Sequence, residues 1–79
     1  ITRETTIGDY CFIGPNSVLQ GASIGNRAFV GMGSTIRHAT LENGSVVAGG
    51  AVIVDNVTVK SNQLWAGNPA QYVRDITPT

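Results

Sequence analysis

Bulky apolar residues recur every six positions along most of this chain, and that spacing restricts its fold more than any other feature. Ile1, Ile7, Ile13 and Leu19 are each six apart, and the series continues at Ile24, Val30, Ile36, Leu41, Val47, Ile53, Val59 and Trp65. Two steps, 19 to 24 and 36 to 41, are five residues long and lie seventeen residues apart. Short steps in the same phase imply three steps per turn of a larger coil, with one corner tightened in successive coils. Two residues before each bulky position sits a small one: Thr5, Cys11, Ser17, Ala22, Ala28, Ser34, Ala39, Ser45 and Ala51. Strand side chains alternate between faces, so small and bulky residues both point inward. A helix cannot use a period of six, because its apolar stripe recurs at three and four residues. The spacing predicts an all-β, three-sided parallel β-helix.

At about 4.8 Å between coils, roughly four coils make a prism about 19 Å tall. Gly8, Gly14, Gly25 and Gly31 each follow a bulky residue, where the chain is expected to turn. Asn43-Gly44, a common hairpin signal, falls between rungs and reads as a corner. Each coil buries its aliphatic residues only against the next, so a bare coil at Ile1 would expose core. With Met32 as its single methionine, the chain reads as part of something longer. Residues 1–70 are assigned to coils, the later part of a longer domain, and 71–79 to an exit segment. Pro78 disfavours a helix through Thr77.

The outward residue before each bulky one divides the faces. One column reads Thr6, Ser23, Thr40, Thr58, a solvated face; another reads Phe12, Phe29, Val46, Leu64. Large apolar groups on an outer face mark a covered surface, under a packed terminal helix or at a subunit interface. Seventy-nine residues suit one small domain, and five basic residues balance five acidic ones. No basic cluster argues for nucleic acid, and no apolar run reaches the length of a membrane span.

The segments IGDYCFIGPNSVLQGASIGNRAFVGMGSTI and VVAGGAV, followed by LWAGNPAQYVRDI, resemble the second half of a gamma-class carbonic anhydrase domain. Trp65 before Gly67-Asn68-Pro69-Ala70 is the more discriminating part, because hexapeptide acyltransferases share the G-x-P-A element without that tryptophan. The resemblance implies a left-handed helix and a trimer holding zinc between subunits with three histidines. Two of these lie in a stretch of the form I/V-G-H-x-x-V-L-H-G. Here that stretch is IGPNSVLQG, and the matching positions are Pro15 and Gln20. Neither suits zinc, which takes imidazole, thiolate or carboxylate and lowers the pKa of bound water.

The resemblance therefore implies a non-catalytic carbonic anhydrase-like subunit. It would stand in a trimer with related chains on the matrix side of mitochondrial complex I, in contact with membrane-complex subunits and acting in assembly or as scaffold. This chain would bind no cofactor, and zinc would be present only if partner-subunit histidines supplied it. Two alternatives stay open: an active zinc enzyme in a mixed trimer, and a hexapeptide acyltransferase using His38. A general base needs an orienting partner, none can be assigned from the sequence, and His38 reads as a surface histidine. Cys11 reads as a buried filler. The run GMGST lacks the third glycine and the lysine of a phosphate loop, and Asn56-Val57-Thr58 is formally a glycosylation sequon. Asp9, Glu42 and Asp55 read as solvated charges near corners.

Overall fold

Alternation converts the six-residue spacing into very short strands joined by corners. The computed structural model describes residues 4–76, so Ile1 and the segment from Thr77 to Thr79 lie outside the described residues. The first coil comprises β1 (Thr6–Ile7), β2 (Phe12–Ile13) and β3 (Val18–Gln20). The second comprises β4 (Ser23–Ile24), β5 (Phe29–Val30) and β6 (Thr35–Arg37). The third comprises β7 (Thr40–Leu41), β8 (Val46–Val47) and β9 (Val52–Ile53). A fourth begins with β10 (Thr58–Val59) and β11 (Gln63–Gly67), after which β12 (Ala70–Asp75) turns back.

Strands of the same rank stack in parallel, in the orders β1-β4-β7-β10, β2-β5-β8-β11 and β3-β6-β9. The result is a left-handed, three-sided β-helix of about four coils. Early partners are seventeen residues apart, as in Thr6↔Ser23, Phe12↔Phe29 and Leu19↔Ile36. Later partners are eighteen apart, as in Thr40↔Thr58 and Val46↔Leu64. Since Ile36↔Ile53 still keeps seventeen, the extra residue enters between Ile53 and Thr58.

The inward columns are those that the spacing predicts. Ile24, Val30, Ile36, Leu41, Val47, Ile53 and Val59 are buried, with Ala22, Ala28, Ser34, Ala39, Ser45 and Ala51 between them. Each fully buried aliphatic side chain contributes about 1.5–3 kcal/mol of transfer free energy. In the first coil Ile13 and Leu19 are partly buried, and Ile7 is 50% exposed. Cys11 shares this partial burial, and its thiol lies 3.1 Å from the Gly25 carbonyl.

Corners depend on left-handed backbone. Tyr10, Arg27, Gly44 and Asn62 form one positive-φ column; Asn16, Gly33 and Gly50 form another; Gly21, His38 and Asn56 form the third. Asn43-Gly44 is accordingly a corner, with its flanking strands in different sheets. Asn side chains brace the first column, since Asp9 N–H donates to Asn26 Oδ1 at 2.8 Å and Asn26 N–H to Asn43 Oδ1 at 2.7 Å. The glycines after bulky residues serve differently from expectation. Gly14 does not adopt a positive φ; a Cβ there would stand 2.5 Å from the Met32 amide nitrogen. Close approach between coils, rather than turning, requires glycine there.

The exit also differs from one expectation. Among the described residues there is no helix, and the segment that leaves the coils is a strand. Instead β12 pairs antiparallel with β11 and extends the second sheet beyond its last coil. The Tyr72 hydroxyl donates to Asp75 Oδ1 at 2.9 Å. That bond, then desolvation and the carboxylate's charge, raises the phenol's pKa above its ordinary value.

Candidate active site

The third corner column is where chemically versatile side chains meet. In the first two coils this corner is tight, passing through Gln20-Gly21 and then Arg37-His38. His38 N–H donates to the Gln20 carbonyl at 2.8 Å, and the His38 carbonyl accepts from Asn56 N–H at 2.9 Å. These bonds hold the backbone on both sides of the histidine. His38 has φ 50°, in the column it shares with Gly21 and Asn56. Histidine, with asparagine and aspartate, is among the non-glycine residues best tolerated in that region.

The corner of the third coil is longer by one residue, and Asp55 lies in it. Its Oδ1 stands 3.3 Å from His38 Nδ1, with the two side chains 59% and 37% exposed. So open a pair adds little to stability, but its geometry has a chemical consequence. A carboxylate on Nδ1 selects the tautomer with its proton there, which leaves a lone pair on Nε2 to accept a proton. The distance is slightly long for a hydrogen bond, and such contacts shorten when substrate binds. His38 thus has a carboxylate beside it that the sequence did not assign, and Asp55, though 59% exposed, is not isolated from other charges. One signal pointed near it: Asp55 and Asn56 follow His38 by about one coil's length, and Asn56 takes the position above the histidine.

The other candidate positions are dispersed. Pro15 occupies the corner after β2, exposed, with its carbonyl accepting from Gly33 N–H at 3.0 Å. Gln20 ends β3 at the His38 corner, also exposed. The two therefore stand at different corners of the first coil. Phe12, Phe29, Val46 and Leu64 do form one continuous column, each paired in register with the next. The Phe12 and Phe29 rings stack with centroids 4.8 Å apart and planes 14° apart. Their exposures are 51% and 43%, so the apolar stripe faces outward at its early end. The described residues enclose no cavity, and the His38–Asp55 pair lies open along an edge.

Comparison with known proteins follows these features. Residues 4–38 match the family described as bacterial transferase hexapeptide (six repeats). No curated protein matches the chain. Among solved structures, the chain is similar to a hexapeptide transferase family protein from Anaplasma phagocytophilum. The identity is 36% and the TM-score 0.82, over 98% of this chain and 51% of that one. It is also similar to a mutant of perosamine N-acetyltransferase from Caulobacter crescentus, solved in complex with CoA and GDP-perosamine. That identity is 33% and the TM-score 0.80, over 90% of this chain and 34% of that one. A galactoside acetyltransferase in complex with coenzyme A matches at 25% identity and TM-score 0.82, over 92% of this chain and 46% of that one. The chain thus spans between about a third and a half of the length of these proteins.

These relatives overturn the reading of a non-catalytic gamma carbonic anhydrase-like subunit, because they are transferases and not carbonic anhydrases or complex I subunits. The mitochondrial expectation rested on that resemblance and has no support apart from it. The physical reason lies in which residues carried the likeness. The repeat builds coils and the exit motif the antiparallel turn between β11 and β12, and a scaffold of this kind hosts unrelated chemistries. Pro15 stands at a corner and Gln20 at the end of β3, two places that the coil itself accounts for. The chain is a hexapeptide-repeat β-solenoid whose first two coils carry the bacterial transferase hexapeptide repeat.

Proposed function

We propose that this chain supplies the base-bearing coils of an acetyltransferase that moves an acetyl group from a CoA thioester to an amine or hydroxyl of a sugar. The observation that carries this reading is the pairing of His38 Nδ1 with Asp55 at 3.3 Å on an exposed corner. The acetyltransferase relatives solved with CoA support the donor, and the sugar substrates in their names support the acceptor class. In this reading Nε2 of His38 takes the proton of the attacking amine or hydroxyl as it bonds to the thioester carbonyl carbon. Asp55 stabilises the imidazolium that forms. Collapse of the tetrahedral adduct breaks the carbon–sulfur bond, and the departing thiolate takes the proton from Nε2. Acid–base catalysis of this kind contributes about 10²–10⁴-fold.

The test is acetyl transfer from acetyl-CoA to a panel of amino sugars and glycosides, with product identified by mass. His38→Asn is expected to lower kcat by about 10²-fold or more, and Asp55→Asn by a smaller factor. Undiminished turnover by His38→Asn would end this reading.

We also propose that the stripe of Phe12, Phe29, Val46 and Leu64 packs against another copy of the chain. Its stacked, half-exposed phenylalanines support this. Sedimentation velocity should show an oligomer that Phe29→Asp dissociates without loss of β-structure by circular dichroism. An unchanged distribution would exclude the stripe as the contact.

A further inference from the structure

The corner that holds the proposed base also holds a cation that the proposed chemistry does not use. Arg37 is the last residue of β6 and immediately precedes His38. Thr35 is partly exposed, Ile36 fully buried and Arg37 exposed, so alternation turns its side chain outward. Its partner in the coil below is Gln20, a neutral amide. Arg37 and His38 are both basic, and the one carboxylate paired with either of them among the described residues, Asp55, lies on the imidazole. Among the described residues Arg37 has no carboxylate at ion-pair distance. Glu42 and Asp75 have local partners, since Glu42 accepts from Ser61 N–H at 3.2 Å and Asp75 from the Tyr72 hydroxyl. The result is a free guanidinium one residue from the base.

A guanidinium presents a planar fork of donors matched to a phosphate. Position decides which phosphate it meets. Consecutive Cα atoms are about 3.8 Å apart, so the fork reaches groups within a side chain's length of the atom being deprotonated. CoA carries its phosphates at the far end of the long pantetheine arm, well away from the thioester carbon. A phosphate on the anomeric carbon of a sugar lies within one ring's width of that sugar's amine or hydroxyl. We infer that Arg37 is the acceptor-recognition residue of this site, gripping a phosphate attached to the sugar close to the group that is acetylated. The inference rests on the transfer reading above and narrows its acceptor to phosphate-linked sugars.

Calorimetric titration of the chain with glucosamine 1-phosphate, glucosamine and CoA tests this without requiring turnover. Glucosamine 1-phosphate is expected to bind roughly tenfold or more tightly than glucosamine, the scale of a charge-assisted contact. Arg37→Gln should abolish that preference and leave CoA binding unchanged, while Arg37→Lys, a point charge without the fork, keeps part of it. Equal affinity for the two sugars, no binding of the phosphorylated one, or a loss that falls on CoA would each overturn the assignment. Turnover with acetyl-CoA separates the two claims. Arg37-dependent binding without acetyl transfer retires the transfer reading and leaves the phosphate contact standing. Acetyl transfer indifferent to the acceptor's phosphate retires the phosphate contact and leaves the chemistry of His38.

Discussion

Ser34 and Ser45 occupy equivalent inward positions in the coil, yet their hydroxyls fare differently. Ser34 Oγ donates within reach of the Gly31 carbonyl at 2.8 Å and the Ala48 carbonyl at 3.0 Å. Ser45 Oγ is fully buried with no partner among the described residues. An unmet buried hydroxyl carries its full desolvation cost. Ser45→Ala is therefore expected to raise stability by about 1 kcal/mol, and Ser34→Ala to lower it by a similar amount. Urea denaturation of the two variants gives opposite shifts in midpoint; two shifts of the same sign would contradict the account. Neither difference was legible in the sequence, because both serines satisfy the small-residue rule equally well. His38 repeats the lesson with chemistry attached: its place on a corner followed from the spacing, its contact with Asp55 did not.

Strands of two or three residues cannot hold a sheet alone, so each element is defined by what lies above and below it. Gly14, directly after β2, marks how close that approach is. Its missing Cβ leaves room for the backbone of Met32, and Gly31 does the same against Gly49 one coil later. Gly14→Ala must push two coils apart, at an expected cost of about 1–3 kcal/mol. A thermal melt indistinguishable from that of the parent would show that the coils can separate freely. The sequence marked these glycines as special and misread why, since a glycine needed for turning and one needed for space look alike until the coils are stacked. The turning was done instead by Tyr10, Asn16, Arg27, His38, Asn56 and Asn62 among non-glycine residues.

Across the whole molecule, stability follows position in the stack, as expected when each repeat contacts only its neighbours. Ile36 is fully enclosed by the coils on either side, whereas Ile7 on the first coil is 50% exposed. Ile36→Ala is expected to cost about 2–5 kcal/mol, in the range of buried large-to-small substitutions. A loss from Ile36→Ala below about 1 kcal/mol in denaturation experiments would mean that the centre of the stack is loosely packed. The apolar stripe also belongs to this scale, because its four members come from four coils and become one surface only when stacked.

The amino-acid order alone determined that the chain coils on three sides, which residues face inward, and where corners fall. Those facts follow from alternation and from a period of six that no helix can satisfy. It determined less about activity, because coil-building residues are shared by proteins of different chemistry; the likeness they produced gave the hexapeptide-repeat fold correctly and the carbonic anhydrase reading wrongly. Tertiary structure decided the rest. A seventeen-residue coil followed by one extra residue sets Asp55 against His38 and leaves Arg37 unpaired beside them. Such a site depends on distance across coils, and distance across coils is fixed only when one coil has been laid upon the next.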